Sequence, residues 1–262
     1  MKSIRRWIAG HPLASKILVT VMITAFCFVL LDPDVYSFGI RFAIVFSLLC
    51  SGYLTVNYMP DKLMRQPLEQ LEQHCDPYPF LAELELQIAK PREDFQGQMI
   101  RLNYAMALVH TGAHEQALQV LEDINPDRFS NPFARFIYCN NLCDVMTRLD
   151  RFQEAEIWYN KTSKIYQDLP NNRLKQRLAR TMDMNEIEAL YREGDYAFAL
   201  RKLSRIPCPT QRSVMEAALL AARCNLALAE YDKAKEKLQY VIDHGNRLHC
   251  VAIAKALLDQ IS

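Results

Sequence analysis

The amino-acid sequence predicts an all-α chain: an N-terminal two-helix transmembrane hairpin, then an α-solenoid of about four to five helical hairpins with a C-terminal capping helix. Three observations carry this reading. Only 7 of the 262 residues are Gly and 12 are Pro, while Leu, Ala, Glu, Gln, Lys and Arg are abundant, and straight-chain residues lose little rotamer freedom in a helix. Two long uncharged runs lie within the first sixty residues. A short phrase recurs in four spellings between residues 110 and 238.

The first element is the segment 1–59. "ILVTVMITAFCFVLL" (17–31) has no charge and reaches spanning length when extended back to Leu13, with Lys16 reaching the interface. "FAIVFSLLCSGYLTV" (42–56) follows a connector containing "DPD". The expected helices are about 13–31 and 37–58, and residues 13–58 are expected to meet a lipid bilayer. A cleaved signal peptide is the competing reading, but "LDPDVYSFG" offers no small-x-small site after Leu31. Two buried helices of a soluble domain form the other alternative. Lys2, Arg5, Arg6 and Lys16 precede the first run, and Lys62 and Arg65 follow the second. The positive-inside rule then places both termini in the cytoplasm, although Arg41 weakens the asymmetry. The localisation expected is a multi-pass protein of a bacterial plasma membrane.

Residues 60–96 read as a linker and a degenerate hairpin built from "PLEQLEQHC" (67–75) and "PFLAELELQIAK" (79–90). The repeats occupy 97–245. "HTGAHEQALQVL" (110–121), "RLDRFQEAEIWY" (148–159), "REGDYAFALRKL" (192–203) and "ALAEYDKAKEKL" (227–238) align column by column. A turn-tolerant residue comes third: Gly112, Asp150, Gly194, Ala229. A ring follows two places later (His114, Phe152, Tyr196, Tyr231), and Ala three places after that (Ala117, Ala155, Ala199, Ala234). The pattern predicts helix, tight turn, helix. The turn residue takes the left-handed conformation, the ring fills the corner, and Ala lets the backbones approach. Residues 246–262 keep helical apolar spacing and suit a capping helix over the last repeat.

These columns resemble the tetratricopeptide repeat, a helical hairpin of roughly 34 residues that stacks into a superhelix. The resemblance includes small residues seven places before the turn, such as Ala105, Cys143 and Ala222. It departs at His114, at Ile187 in the small upstream position, and in the missing Trp and Pro landmarks. The alanines are spaced by 38, 44 and 35 residues. The resemblance implies a concave groove lined by the first helix of each hairpin and holding extended or helical peptides. Carried over by position, that groove presents Met99, Leu102 and Met106, then Asn140, Asp144 and Arg148. It continues with Met184, Glu188 and Tyr191, then Leu219 and Arg223. One subset of the family grips C-terminal carboxylates through Lys and Asn. Asn141 falls at one such place, but Leu102 and Met106 occupy others, so that clamp is rejected.

Composition and motifs narrow the function further. Net charge is +1, and no Lys/Arg stripe runs through the repeats, which disfavours nucleic acid. Lys161, Lys164, Arg173, Lys175, Arg177 and Arg180 read as solvated helix charges, with contact to anionic lipid or a partner as the alternative for the last four, which lie close to a linker. The eight cysteines form no CxxC and read as reduced apolar residues. His110 and His114 flank a turn glycine, Cys139 and Cys143 lack further ligands, and Glu193 and Asp195 sit at a solvated turn. His244 and His249 read as surface and cap residues. Neither a nucleotide loop nor a nucleophile elbow appears. No enzyme activity, metal, cofactor or small-molecule substrate is expected. The expected function is a membrane-anchored cytoplasmic scaffold or adaptor that binds a protein or peptide partner in the groove. The alternatives are an exported assembly or secretion factor and a regulator or subunit of a membrane enzyme complex.

Overall fold

The computed structural model describes residues 20, 21, 46, 64–89, 94–129 and 131–261. All regular structure among them is helical, with no strand. The chain divides into two units, Met1–Pro67 and Leu68–Ser262. In the first, Thr20, Val21 and Phe46 are helical and exposed. The helices are α1 (64–74, entering the second unit at Leu68), α2 (Tyr78–Ile88), α3 (Phe95–Thr111), α4 (His114–Glu122), α5 (Pro132–Arg148), α6 (Phe152–Asp168), α7 (Arg173–Arg192), α8 (Tyr196–Leu203), α9 (Gln211–Ala227), α10 (Tyr231–His244) and α11 (His249–Asp259).

The transmembrane part of the expected fold class is not supported. No helix among the described residues is long and apolar enough to cross a membrane. The longest, α7, has 20 residues but carries Arg173, Lys175, Arg177, Arg180, Asp183, Glu186, Glu188 and Arg192, and such charges exclude it from hydrocarbon. The spans expected at 13–31 and 37–58 lie outside the described residues except for Thr20, Val21 and Phe46. The multi-pass membrane localisation, with both termini cytoplasmic, therefore loses its basis.

The first helix of each pair starts on a side-chain cap. Asp94 accepts from the Gly97 N–H, Asn131 from Phe133, and Asn172 from Leu174 and Lys175. Thr210 and Ser213 form a reciprocal capping box ahead of α9. The second helix of each pair starts behind a left-handed residue, at Gly112 (φ 88°), Asp150 (57°), Gly194 (86°) or Ala229 (57°). After each, one N–H reaches back five residues: Ala113 to Leu108, Arg151 to Met146, Asp195 to Leu190 and Glu230 to Asn225, at 2.8–3.0 Å. That bond is the signature of the Schellman turn, which satisfies carbonyls left over at the helix end.

The four alanines three places on are fully buried, as are Ala105, Ile187 and Ala222 before the turns. Ile187 thus takes a place where its neighbours are small, and it anchors a cluster with Ala199, Leu203, Leu220 and Cys224. The rings depart from expectation. Phe152 is 44% and Tyr231 52% exposed, so in those hairpins Ala155 and Ala234 make the close contact unaided.

The ends of the array meet. The Arg247 N–H donates to the Cys75 carbonyl (3.2 Å), and the Asn246 amide donates to the His74 carbonyl (2.8 Å). Arg247 pairs with Asp76 at 3.2 Å and lies 4.0 Å over the Tyr78 ring. Further in, Arg212 on α9 bonds Glu72 on α1 (3.0 Å), and His249 on α11 meets His114 edge-on, ring centroids 5.2 Å apart. The capping helix therefore covers the first hairpins as well as the last.

Candidate functional site

Because α3, α5, α7, α9 and α11 face one another across this closed array, they wall a cavity of about 210 Å³. Helix α5 supplies Asn140, Asp144 and Arg148 at one-turn spacing. Helix α7 supplies Arg180, Thr181, Met184, Asn185 and Glu188, and α9 supplies Arg212, Glu216, Leu219, Leu220 and Arg223. Met106 and Cys250 come from the flanking helices α3 and α11. Each set lies on one helical face, since residues three and four apart are neighbours.

The polar groups are tied together across helices. Asn185 donates to Asn140 (2.9 Å), linking α7 to α5, and Arg192 donates to the Thr147 hydroxyl (3.3 Å). Arg148 pairs with Asp144 at 3.1 Å. Arg212 holds Glu216 at 2.7 Å and Glu72 at 3.0 Å, with all three side chains three-quarters buried or more. Burial is the largest single influence on Glu216 and works against ionising it, but the groups around the carboxyl, Arg212 first and Arg148 after it, together outweigh burial and bring it down to about 2. His110 lies 3.7 Å from Glu216 with its side chain 9% exposed. Burial, with Arg212 adding to it, keeps that imidazole neutral. Glu188 goes the opposite way: burial first, then the Asp144 carboxylate, raise it, and Arg148 and Arg192 only partly compensate. The wall's thiol, Cys250, is pushed up to about 12, chiefly by burial, and so stays protonated.

Of the residues expected in the groove, the structure brings Met106, Asn140, Asp144, Arg148, Met184, Glu188, Leu219 and Arg223 to this one cavity. Leu102 is fully buried instead, and its carbonyl accepts from Asn141 at 3.2 Å. Asn141 is thereby occupied in joining α5 to α3. Met99 packs against the core of the first two hairpins. Tyr191 belongs to the Ile187 cluster and lies beneath Arg223, 5.8 Å from ring to guanidinium.

Sequence reasoning missed Arg180, Thr181, Asn185, Arg212, Glu216, Leu220 and Cys250. Helical periodicity held the signal for most of them: Arg180 and Thr181 stand four and three residues before Met184, and Arg212 and Glu216 precede Leu219 on the same face. Arg180, read as a solvated charge, lines the cavity and donates from Nε to the Pro207 carbonyl at 2.7 Å. His249, read with His244 as a surface or cap residue, sits against His114.

A second, more open hollow of about 450 Å³ lies between α8, α9 and α10. Leu200, Leu203, Val214, Ala217 and Ala221 make it apolar, and Lys237 is its single charged lining residue. Directed polar groups converge only in the first of the two cavities. Among the described residues no three His, Cys, Asp or Glu side chains are grouped to hold a metal ion. The first cavity offers donors, acceptors and apolar contact suited to holding a polar chain segment in a fixed register. Comparison with protein-family models, with curated proteins and with solved structures gives no match.

Proposed function

We propose that the protein is a helical-hairpin scaffold that binds an extended segment of a protein partner in the cavity between α3, α5, α7 and α9. One observation carries the reading: the first helices of four successive hairpins all line a single cavity, α3 with Met106, α5 with three polar side chains, and α7 and α9 with polar and apolar ones together. A core alone does not call for this: Asp144 and Glu216 need Arg148 and Arg212 beside them, and Glu188 has no ion-pair partner among the described residues. The repeated Schellman turns and fully buried alanines support the kinship with tetratricopeptide repeats, whose first helices hold peptides in the same way.

Site-specific photocrosslinking tests this. A benzophenone amino acid is placed at Met184 in the cavity and, separately, at the exposed Tyr231. The expected result is a discrete adduct from Met184 and none from Tyr231, with the partner attached through a short contiguous stretch. Equal crosslinking from both positions, or none from Met184 in a chain that retains its helicity, overturns the reading.

A further inference from the structure

Seven charged side chains line the cavity: Asp144, Arg148, Arg180, Glu188, Arg212, Glu216 and Arg223. Four of them answer one another as Asp144–Arg148 and Glu216–Arg212. Two guanidiniums are left over. Arg180 spends its Nε on the Pro207 carbonyl, and Arg223 lies over the Tyr191 ring. Among the described residues neither is ion-paired with a carboxylate.

Their placement is specific. Arg180 and Tyr191, the ring that supports Arg223, are 11 residues apart on α7. At 1.5 Å per residue the backbone positions of Arg180 and Tyr191 stand about 16 Å apart along the helix. Met184 and Glu188 lie between Arg180 and Tyr191 on α7, and Leu219, Leu220, Asp144 and Glu216 line the same cavity. The Asp144 and Glu216 carboxylates disfavour an acid placed mid-cavity, and the apolar trio favours an aliphatic residue there. An extended chain advances about 3.3 Å per residue, so about five residues span that stretch of α7.

From this we infer that the partner segment is acidic at two points about five residues apart and apolar between them, its side-chain carboxylates held by Arg180 and Arg223. The inference rests on the scaffold reading above and adds the chemistry of the occupant. Guanidinium–carboxylate contacts in a partly desolvated cavity are the strong kind of charge-assisted bond, and they fix register as well as affinity. The raised proton affinity of Glu188 is consistent with this, because a neutral carboxyl beside the path does not oppose acidic ends.

The test is selection from a phage-displayed library of random dodecapeptides, each fused through its C-terminus so that no free carboxylate competes. The 262-residue chain is the target and Met184→Glu the counter-target. Recovered sequences should carry paired Asp or Glu at about that spacing with apolar residues between. The best of them, synthesised with blocked ends, should weaken about tenfold or more on Arg180→Gln and on Arg223→Gln, and weaken with added salt. Reselection on Arg223→Glu should return a basic residue at one end. Peptides that are lost on Met184→Glu but lack the acidic pair and ignore both arginine variants would overturn this inference and leave the scaffold reading standing. If no peptide is enriched over the counter-target, both fall.

Discussion

Gly112 lies directly under the imidazole of His249: a methyl group added to Gly112 would meet Nδ1 of that ring and stand 2.7 Å from its Cγ. The turn of the first hairpin is thus also the seat of the last helix. Gly194 has nearly the same φ, 86° against 88°, yet nothing lies within 4 Å of its added carbon. The pair separates two effects. Gly194→Ala should cost about 1 kcal/mol, the left-handed penalty alone. Gly112→Ala should cost about 2–4 kcal/mol, because overpacking against His249 adds to it. Urea unfolding of both variants, with His249→Ala added to the second, checks this; equal losses would mean that α11 does not rest on the first turn.

Ala229 holds the same left-handed turn at φ 57° with a Cβ present. Replacement by Gly removes that steric cost while the residue stays exposed. Ala229→Gly should stabilise the chain by about 0.5–1 kcal/mol, whereas Ala221→Gly inside α9 should destabilise it by about 1 kcal/mol. Thermal melts of the two variants should therefore shift in opposite directions.

Among the described residues Arg212 is the sole cation bonded to both Glu72 and Glu216. Arg212→Met leaves two poorly solvated carboxylates without it and should cost about 2–4 kcal/mol. Glu216 also imposes a pH dependence. Its folded-state value, about 2, lies below the ordinary 4.5. Its contribution, on the order of 3 kcal/mol, is therefore complete above pH 4.5 and disappears as pH falls toward 2. Denaturation curves at a series of acid pH values should show this slope in the native chain and not in Glu216→Gln.

Glu188 has the opposite sign. Burial and Asp144 raise its folded-state value to about 7, so between pH 4.5 and 7 the folded chain binds a proton that the unfolded chain has released. Stability then declines as pH rises through that window, and the penalty is complete above 7. Glu188→Gln should be more stable than the native chain above pH 7 and indistinguishable from it below 4.5. A variant that is less stable at pH 8 would show Glu188 to be ionised and held by Arg148 or Arg192.

The hairpins were legible because their signals are local. A Schellman turn needs a left-handed residue, and buried Ala is needed where two backbones approach, so Gly112, Gly194 and the four alanines mark their own places. Most of the cavity faces were legible for the same reason, through one-turn spacing on α5, α7 and α9. Closure was not. It depends on Arg247 meeting Cys75 and Asp76, and on Arg212 meeting Glu72, at sequence separations above 130 residues that no periodicity encodes. Arg180 looked solvated because a helix shows its neighbours in sequence and hides those across a cavity. Hydropathy alone supported the reading of residues 13–58, and no helix among the described residues supports it.

Open rows of repeats gain or lose a unit readily, since each touches only its neighbours. Here the joints between Arg247 and Asp76 and between His249 and Gly112 set a circumference. A hairpin duplicated into the array would pull both joints apart, and one deleted would drive them into collision. Copy number, which drifts freely in a row, is held constant in this chain by geometry.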